Sequence, residues 1–77
     1  MNCPFYRVFV GRYEKSTEAK STSEKLRKLG LTPSVFKTND GYSLLISSSL
    51  RQEYAETLLT NLIRKGFDAY LEAPTKA

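Results

Sequence analysis

The sequence predicts an α+β fold whose elements follow the order β-α-β-β-α-β. Residues 6–37 align with residues 42–73 at a constant offset of 36 positions and without a gap. Each copy ends its helical stretch in a glycine, and the turn sequence Thr38-Asn39-Asp40-Gly41 joins the two copies. Because two copies are too few for a solenoid, we expect them to form one compact domain with an internal pseudo-two-fold repeat.

The first copy begins with a predicted strand over residues 5–10, where valines recur at every second position. Gly11 is expected to end this strand. A helix is predicted over residues 17–29, and Gly30 follows it at the position of a left-handed C-terminal cap. The apolar stripe of this helix is thin and consists of Ala19, Ser23, Leu26 and Leu29.

The turn between the copies predicts a hairpin. The strand before it covers residues 33–37 and begins with Pro33, where a missing N–H is tolerated. The strand after it covers residues 42–47, and its Tyr42 matches Tyr6 of the first copy, for which we expect a core position.

The second helix is predicted to begin at a capping box formed by Ser49 and Gln52 and to end at Gly66. A last strand follows over residues 67–72. The apolar face of this helix is broad and consists of Ala55, Leu58, Leu59, Leu62 and Ile63.

This order is the split, ferredoxin-like or RNP-like arrangement. Both crossovers are expected to be right-handed, which places the two helices on one face of a four-stranded antiparallel sheet and leaves the other face open. One domain over residues 5–73 is expected, with flexible ends at residues 1–4 and 74–77.

Composition limits the possible functions of the chain. It has 77 residues, a lone cysteine (Cys3) and no histidine, so we expect no disulfide, no metal centre, no cofactor and no catalysis. Neither a signal peptide nor a membrane-spanning run is visible, so an extracellular role would require a longer chain or another export route. The net charge is +4, and the first copy carries most of the excess, which favours an anionic polymer as a partner or simply a solvated helix face.

Strand alternation predicts which side chains lie on the open face. The apolar members would form a patch suited to a sugar ring or a nucleobase, and such patches mark binding or association surfaces, including sheet-to-sheet homodimers. Replacing Phe9 by Ala is expected to weaken binding with little loss of stability. In the predicted site, Phe9, Leu45 and Tyr70 form the apolar floor together with Phe36. The hydrogen-bonding groups at its border are Arg7, Ser34, Ser43 and Ser47, with Arg12 as a further cation and Lys37 as a peripheral charge.

Both copies resemble the halves of the SPOR (sporulation-related repeat) domain, and the resemblance covers nearly the whole chain. In the first copy it rests on Tyr6-Arg7-Val8-Phe9-Val10-Gly11, Ala19, Leu26 and Leu29-Gly30. In the second copy it rests on Gly41-Tyr42, Ala55, Leu59, Leu62 and Gly66-Phe67-Asp68-Ala69-Tyr70.

SPOR domains bind bacterial peptidoglycan through the open sheet face, with a preference for glycan strands that lack stem peptides. They are attached to cell-division proteins and to cell-wall hydrolases, including amidases of spore-formers and phage lysins. The resemblance therefore implies a non-catalytic wall-targeting module that acts outside the cytoplasm as part of a larger protein.

The chain departs from the family pattern on its first strand. The family commonly has Gln followed by Gly-Ser-Phe, whereas this chain has Phe9 and then Gly11-Arg12-Tyr13. The family's second Val-Gly is replaced by Ile46-Ser47. Arg7 and Arg12 suggest anionic wall material instead, such as stem-peptide carboxylates or teichoic acid phosphates.

Three other functions are open. An RNA-binding domain of the RRM type has the same element order, but the third strand here lacks an outward aromatic and the Lys/Arg-Gly-Phe pattern, so nucleic acid is disfavoured. A protein-association domain would use the same open face. An enzyme is disfavoured because the chain has no histidine to activate the serine and tyrosine hydroxyls, and no other base is evident.

Overall fold

The computed structural model describes residues 4–74 and has the predicted α+β, ferredoxin-like fold. The antiparallel sheet has the strand order β2-β3-β1-β4. Residues 1–3, which include Cys3, and residues 75–77 lie outside the described residues, and with them most of the predicted flexible ends. The elements are β1 (Tyr6–Tyr13), α1 (Ser16–Lys28), β2 (Ser34–Thr38), β3 (Gly41–Ser49), α2 (Gln52–Arg64) and β4 (Ala69–Glu72).

The hydrophobic core lies between the sheet and the two helices, as the valine alternation predicts. Partly buried residues, including Tyr6, Tyr42, Ala69 and Leu71, pack around it, so both tyrosines have the expected core positions. Because one cluster includes residues of both helices, α1 and α2 cover the same face of the sheet. The buried members are Val8, Val10, Ala19, Leu26, Leu44, Ile46, Ala55 and Leu62.

Three apolar residues that the helical stripes or the strand alternation assign to this core are exposed. Leu29, the C-cap residue of α1, and Ile63, in the last turn of α2, are 45% and 54% exposed. Val35 points to the helix side, because its cross-strand partner is the buried Leu44, yet it remains 46% exposed. Helix α1 therefore leaves the outer part of β2 uncovered.

Both helices end as the sequence predicts. Gly30 and Gly66 have positive φ angles, and the N–H of the residue after each glycine bonds to a carbonyl one turn back, Leu31 to Leu26 and Phe67 to Leu62. This is the Schellman arrangement. The matching ends agree with the proposed internal repeat, which stays a prediction.

The predicted capping box at the start of α2 is absent. Strand β3 continues through Ser49, which pairs with Tyr6 of β1, and Arg51 occupies the N-cap position without a side-chain cap. The hydroxyl of Ser49 instead accepts a hydrogen bond from the Arg51 N–H at 3.0 Å. The sheet therefore uses residues that the sequence pattern assigned to the helix start.

Strand β1 does not end at Gly11 but passes through it as a bulge. Gly11 and Arg12 together lie opposite Ser43, between the pairs Val10–Leu44 and Tyr13–Tyr42. Gly11 has φ +74°, and a bulge whose first residue is a left-handed glycine is the G1 type. A second bulge on β3 places Ile46 and Ser47 together opposite Val8.

Candidate functional site

The open face of the sheet has a buried centre. Phe9 lies there, but it is only 1% exposed, so the expectation that its ring forms an accessible floor is wrong. The Phe9 ring stacks on Tyr70 with ring centres 5.3 Å apart and meets Phe36 edge-on at 5.5 Å. Leu45 on β3 and Tyr70 on β4 lie directly opposite Phe9 and flank its side chain on the open face. The three rings and Leu45 form a small second cluster, which we call the open-face cluster.

Arg7 covers one side of the open-face cluster. Its guanidinium carbon lies 5.5 Å from the Phe9 ring centre and 5.8 Å from that of Phe36, within the range of cation–π attraction. Its Nη2 donates to Oε1 of Glu72 at 2.5 Å, so the Arg7 charge is paired. The Nε atom is buried and has no hydrogen-bond partner among the described residues. Arg7 is therefore held mainly as a cover over the rings.

Arg12 covers the other side. The bulge at Gly11 brings Arg12 to the open face, where its guanidinium carbon lies 4.8 Å from the centre of the Tyr70 ring. Arg12 is exposed, and no ion pair involves it within residues 4–74. It is therefore the cation of the predicted site that is most available to a ligand.

Ser43 is not available to a ligand, although the sequence suggested it as a hydrogen-bonding group at the border. It is 1% exposed, and its hydroxyl donates to the Gly11 carbonyl at 2.7 Å. Because that proton is used, the Tyr70 hydroxyl, 2.5 Å away, donates to the Ser43 oxygen. The chain of bonds from Tyr70 through Ser43 to Gly11 ties β4, β3 and the β1 bulge together.

Ser47 lies on the wrong face, and Lys37, expected as a peripheral charge, lies on the helix side as well. Ser47 is opposite the core residue Val8, because the β3 bulge reverses the alternation after Ile46, and Ser48 takes the place opposite Arg7. Lys37 is opposite Tyr42, which packs on the helix-side core, so it points away from the open-face cluster.

The remaining predicted residues share the open face. Ser34 is opposite Leu45, and Phe36 is opposite Ser43. Phe36 is 39% exposed and is the most accessible ring of the open-face cluster. The surface that a ligand would meet is thus made by Phe36, Tyr70, Leu45 and the two arginines.

A shallow groove of about 450 Å³ continues this surface past the β1 bulge. Arg12 is its cation, and Glu14, Asp40 and Glu72 supply carboxylates. Sequence reasoning missed its turn residues, although a glycine inside a run that continues as Arg12-Tyr13 is a signal of a bulge. Its lining residues are Arg12, Tyr13, Glu14, Thr38, Asp40, Gly41, Tyr42, Ser43, Tyr70 and Glu72.

Comparisons with known proteins yield no match: no family model, no curated protein and no solved structure is significantly similar to this chain. Within residues 4–74, no group of three or more His, Cys, Asp or Glu residues is placed to hold a metal ion. No helix of the described residues has the length and apolar character needed to cross a membrane.

Proposed function

We propose that this chain is a non-catalytic module that binds peptidoglycan glycan strands and targets an attached cell-wall hydrolase or division protein. One observation carries the proposal: the sheet has an open face whose aromatic cluster and exposed Arg12 are not covered by any other described element. The resemblance of both sequence copies to SPOR domains supplies the ligand class. The location implied by this proposal is the cell wall.

The chemistry of the open face suits a saccharide. A sugar ring has an apolar side that packs on an aromatic ring, and the 39% exposed Phe36 offers such a ring beside the aliphatic Leu45. Its hydroxyls, and the carboxylates of wall glycans, are acceptors for the guanidinium of Arg12. The groove shares Arg12 and Tyr70 with this surface, so a ligand of several sugar units would contact both.

Burial of Phe9 argues against the RNA alternative. RRM-type domains stack bases on aromatic side chains of the first and third strands. Here the first-strand aromatic is 1% exposed and is already stacked on Tyr70, and the corresponding open-face residues of β3 are Ser43 and Leu45. On the open face, neither central strand has a ring that is free to stack on a base.

Pelleting with purified bacterial sacculi tests the proposal directly. We expect the wild-type protein to pellet, and Phe36→Ala to weaken binding by about five-fold or more through loss of an exposed stacking ring. Tyr54→Ala is the matched control, because Tyr54 is a 58% exposed aromatic on α2, away from the open face. Equal losses for both variants, or no pelleting of the wild type, would contradict the proposal.

Two treatments of the same assay define the glycan preference. Amidase digestion removes the stem peptides, and binding that rises afterwards indicates recognition of bare glycan. Binding that falls on digestion and weakens with added salt indicates recognition of anionic groups. If Arg12 is the cation that recognises them, the Arg12→Gln variant should lose this salt dependence. An Arg12→Gln protein with unchanged salt dependence would exclude Arg12 as the responsible cation.

A further inference from the structure

We propose that the free edge of β2 binds an extended, acidic peptide segment of a partner protein, which adds to the sheet as a fifth strand. This site differs from the open-face cluster and does not depend on the proposed glycan binding. It rests on three features: an uncovered sheet edge, a groove beside that edge and an excess of positive charge around the groove.

The two edges of the sheet differ in how well they are covered. Strand β4 has three partly buried residues out of four and packs under α2. In β2, every residue before Thr38 is exposed. Val35 on the helix side and Phe36 on the open side are 46% and 39% exposed, so apolar surface is accessible on both faces of the edge. Such an edge is a template for strand addition.

The register of the hairpin shows which backbone groups are free. Thr38 and Gly41 close a two-residue turn and form a hydrogen-bonded pair, so pairing toward β3 recurs at Phe36 and Ser34. The N–H and C=O groups of Val35 and Lys37 therefore point away from β3, toward the edge. An incoming strand would pair with these two residues.

A groove lies between α1 and β2 on the helix side of this edge. It has a volume of about 530 Å³, and alternate side chains of an added strand would lie over it. Lys37 is on the same side, because it alternates with Phe36 and lies opposite Tyr42. The groove is lined by Lys20, Ser23, Glu24, Arg27, Pro33, Ser34 and Val35.

Charge decides which strand would bind. The groove and its border carry Lys20, Arg27 and Lys37 against the single carboxylate of Glu24. The one ion pair formed among residues 4–74 is Arg7–Glu72, so these three cations are unpaired there. Carboxylates on an added strand would pair with them, whereas a basic strand would be repelled.

The same charges disfavour a second copy of this chain as the occupant. An antiparallel β2–β2 pairing centred on Phe36 would place the second copy's Lys37 opposite Val35, beside Lys20 and Arg27. Like charges in such positions are destabilising. A partner with acidic side chains alternating with apolar ones matches the edge better.

The test uses a blocked heptapeptide of alternating valine and glutamate, with the valine–lysine peptide as its control, and NMR titration of the whole chain. We expect binding of the acidic peptide only, with the amide protons of Val35 and Lys37 newly protected from exchange. Equal binding of both peptides, protection confined to the open-face cluster, or concentration-dependent self-association through β2 would each overturn the proposal.

Three variants separate charge, backbone pairing and folding. Arg27→Glu should weaken the affinity for the acidic peptide about five-fold, as expected for one charge at the border of an interface. Arg64→Glu, in the last turn of α2, is the matched control and should leave affinity unchanged.

Val35→Pro removes an N–H that points to the edge, which a folded edge strand tolerates, so binding should be lost while the melting temperature is nearly kept. An unchanged affinity in Val35→Pro would also overturn the proposal.

Discussion

The two faces of the sheet bury their central side chains by different means. On the helix side, Leu62 and its neighbours lie between the sheet and two helices. On the open side, Phe9 has no covering helix, yet it is as fully buried as Leu62. Its cover consists of Phe36, Tyr70 and the Arg7 side chain. A sheet face without a second layer can therefore build its own small core from cross-strand aromatic and arginine contacts.

This difference divides the open face into structural and accessible residues. Phe9 and Ser43 are buried, so they hold the face together and cannot meet a ligand. Phe36 and Arg12 are exposed, so they can. Aromatic character on an open sheet face is thus not by itself a sign of binding, and the exposed fraction of each ring must be known before a role is assigned.

Phe9→Ala is the strongest test of the comparison. A buried phenylalanine truncated to alanine typically costs 3–5 kcal/mol, and we expect about 3 kcal/mol here because the covering side chains can partly collapse into the space. The free energy of unfolding from urea titration measures the loss. Wild-type stability in Phe9→Ala would mean that the open-face cluster is only a loose surface contact.

Two further variants calibrate this result. Leu62→Ala removes an equally buried residue of the helix-side core and should cost roughly 2–5 kcal/mol. Phe9→Leu keeps most of the apolar volume and should therefore retain most of the stability. If Phe9→Ala binds sacculi poorly but Phe9→Leu binds normally, the ring acts by supporting the face rather than by touching the glycan.

The fold could be predicted because its signals are local and repeated. Alternating valines, the turn before Gly41 and the two helix-ending glycines each fix one element, and none depends on distant contacts. The errors at element ends, such as the capping box at Ser49, arise because the sheet extends into residues whose local pattern suits a helix start.

The site was predicted less well because faces depend on register. Simple alternation assigns Ser47 to the open face, and only the β3 bulge reverses that assignment. Burial of Phe9 depends on Phe36 and Tyr70 from the two edge strands and on the fold of the Arg7 side chain over the ring, and the residue spacing within β1 reveals none of these contacts. Phe36, Leu45 and Tyr70 were placed correctly because no bulge separates them from the strand centres.

Gly11→Ala tests how far the open face depends on the β1 bulge. A non-glycine residue at φ +74° is strained, and a Cβ there would clash with the end of the Tyr13 ring, so we expect a loss of about 2 kcal/mol. Gly30→Ala is the matched control on the helix side. It has a similar φ of +86° but nothing within 4 Å of the added Cβ, so about 1 kcal/mol should be lost. Equal losses would mean that the bulge tolerates the side chain.

Tyr70→Phe gives the smallest and most specific effect. It keeps the ring that stacks on Phe9 and removes the hydroxyl that donates to Ser43. The net contribution of one such hydrogen bond is about 1 kcal/mol, and this is the loss of unfolding free energy that we expect.

A double-mutant cycle with Ser43→Ala assigns that loss to the bond itself. Ser43→Ala alone should cost more than Tyr70→Phe, because it leaves both the Gly11 carbonyl and the Tyr70 hydroxyl without their partner. In the double variant the Tyr70→Phe change should cost almost nothing further, since its partner is already gone. Additive losses would show that the two hydroxyls act independently, and the open face would then be held together by its rings and arginines alone.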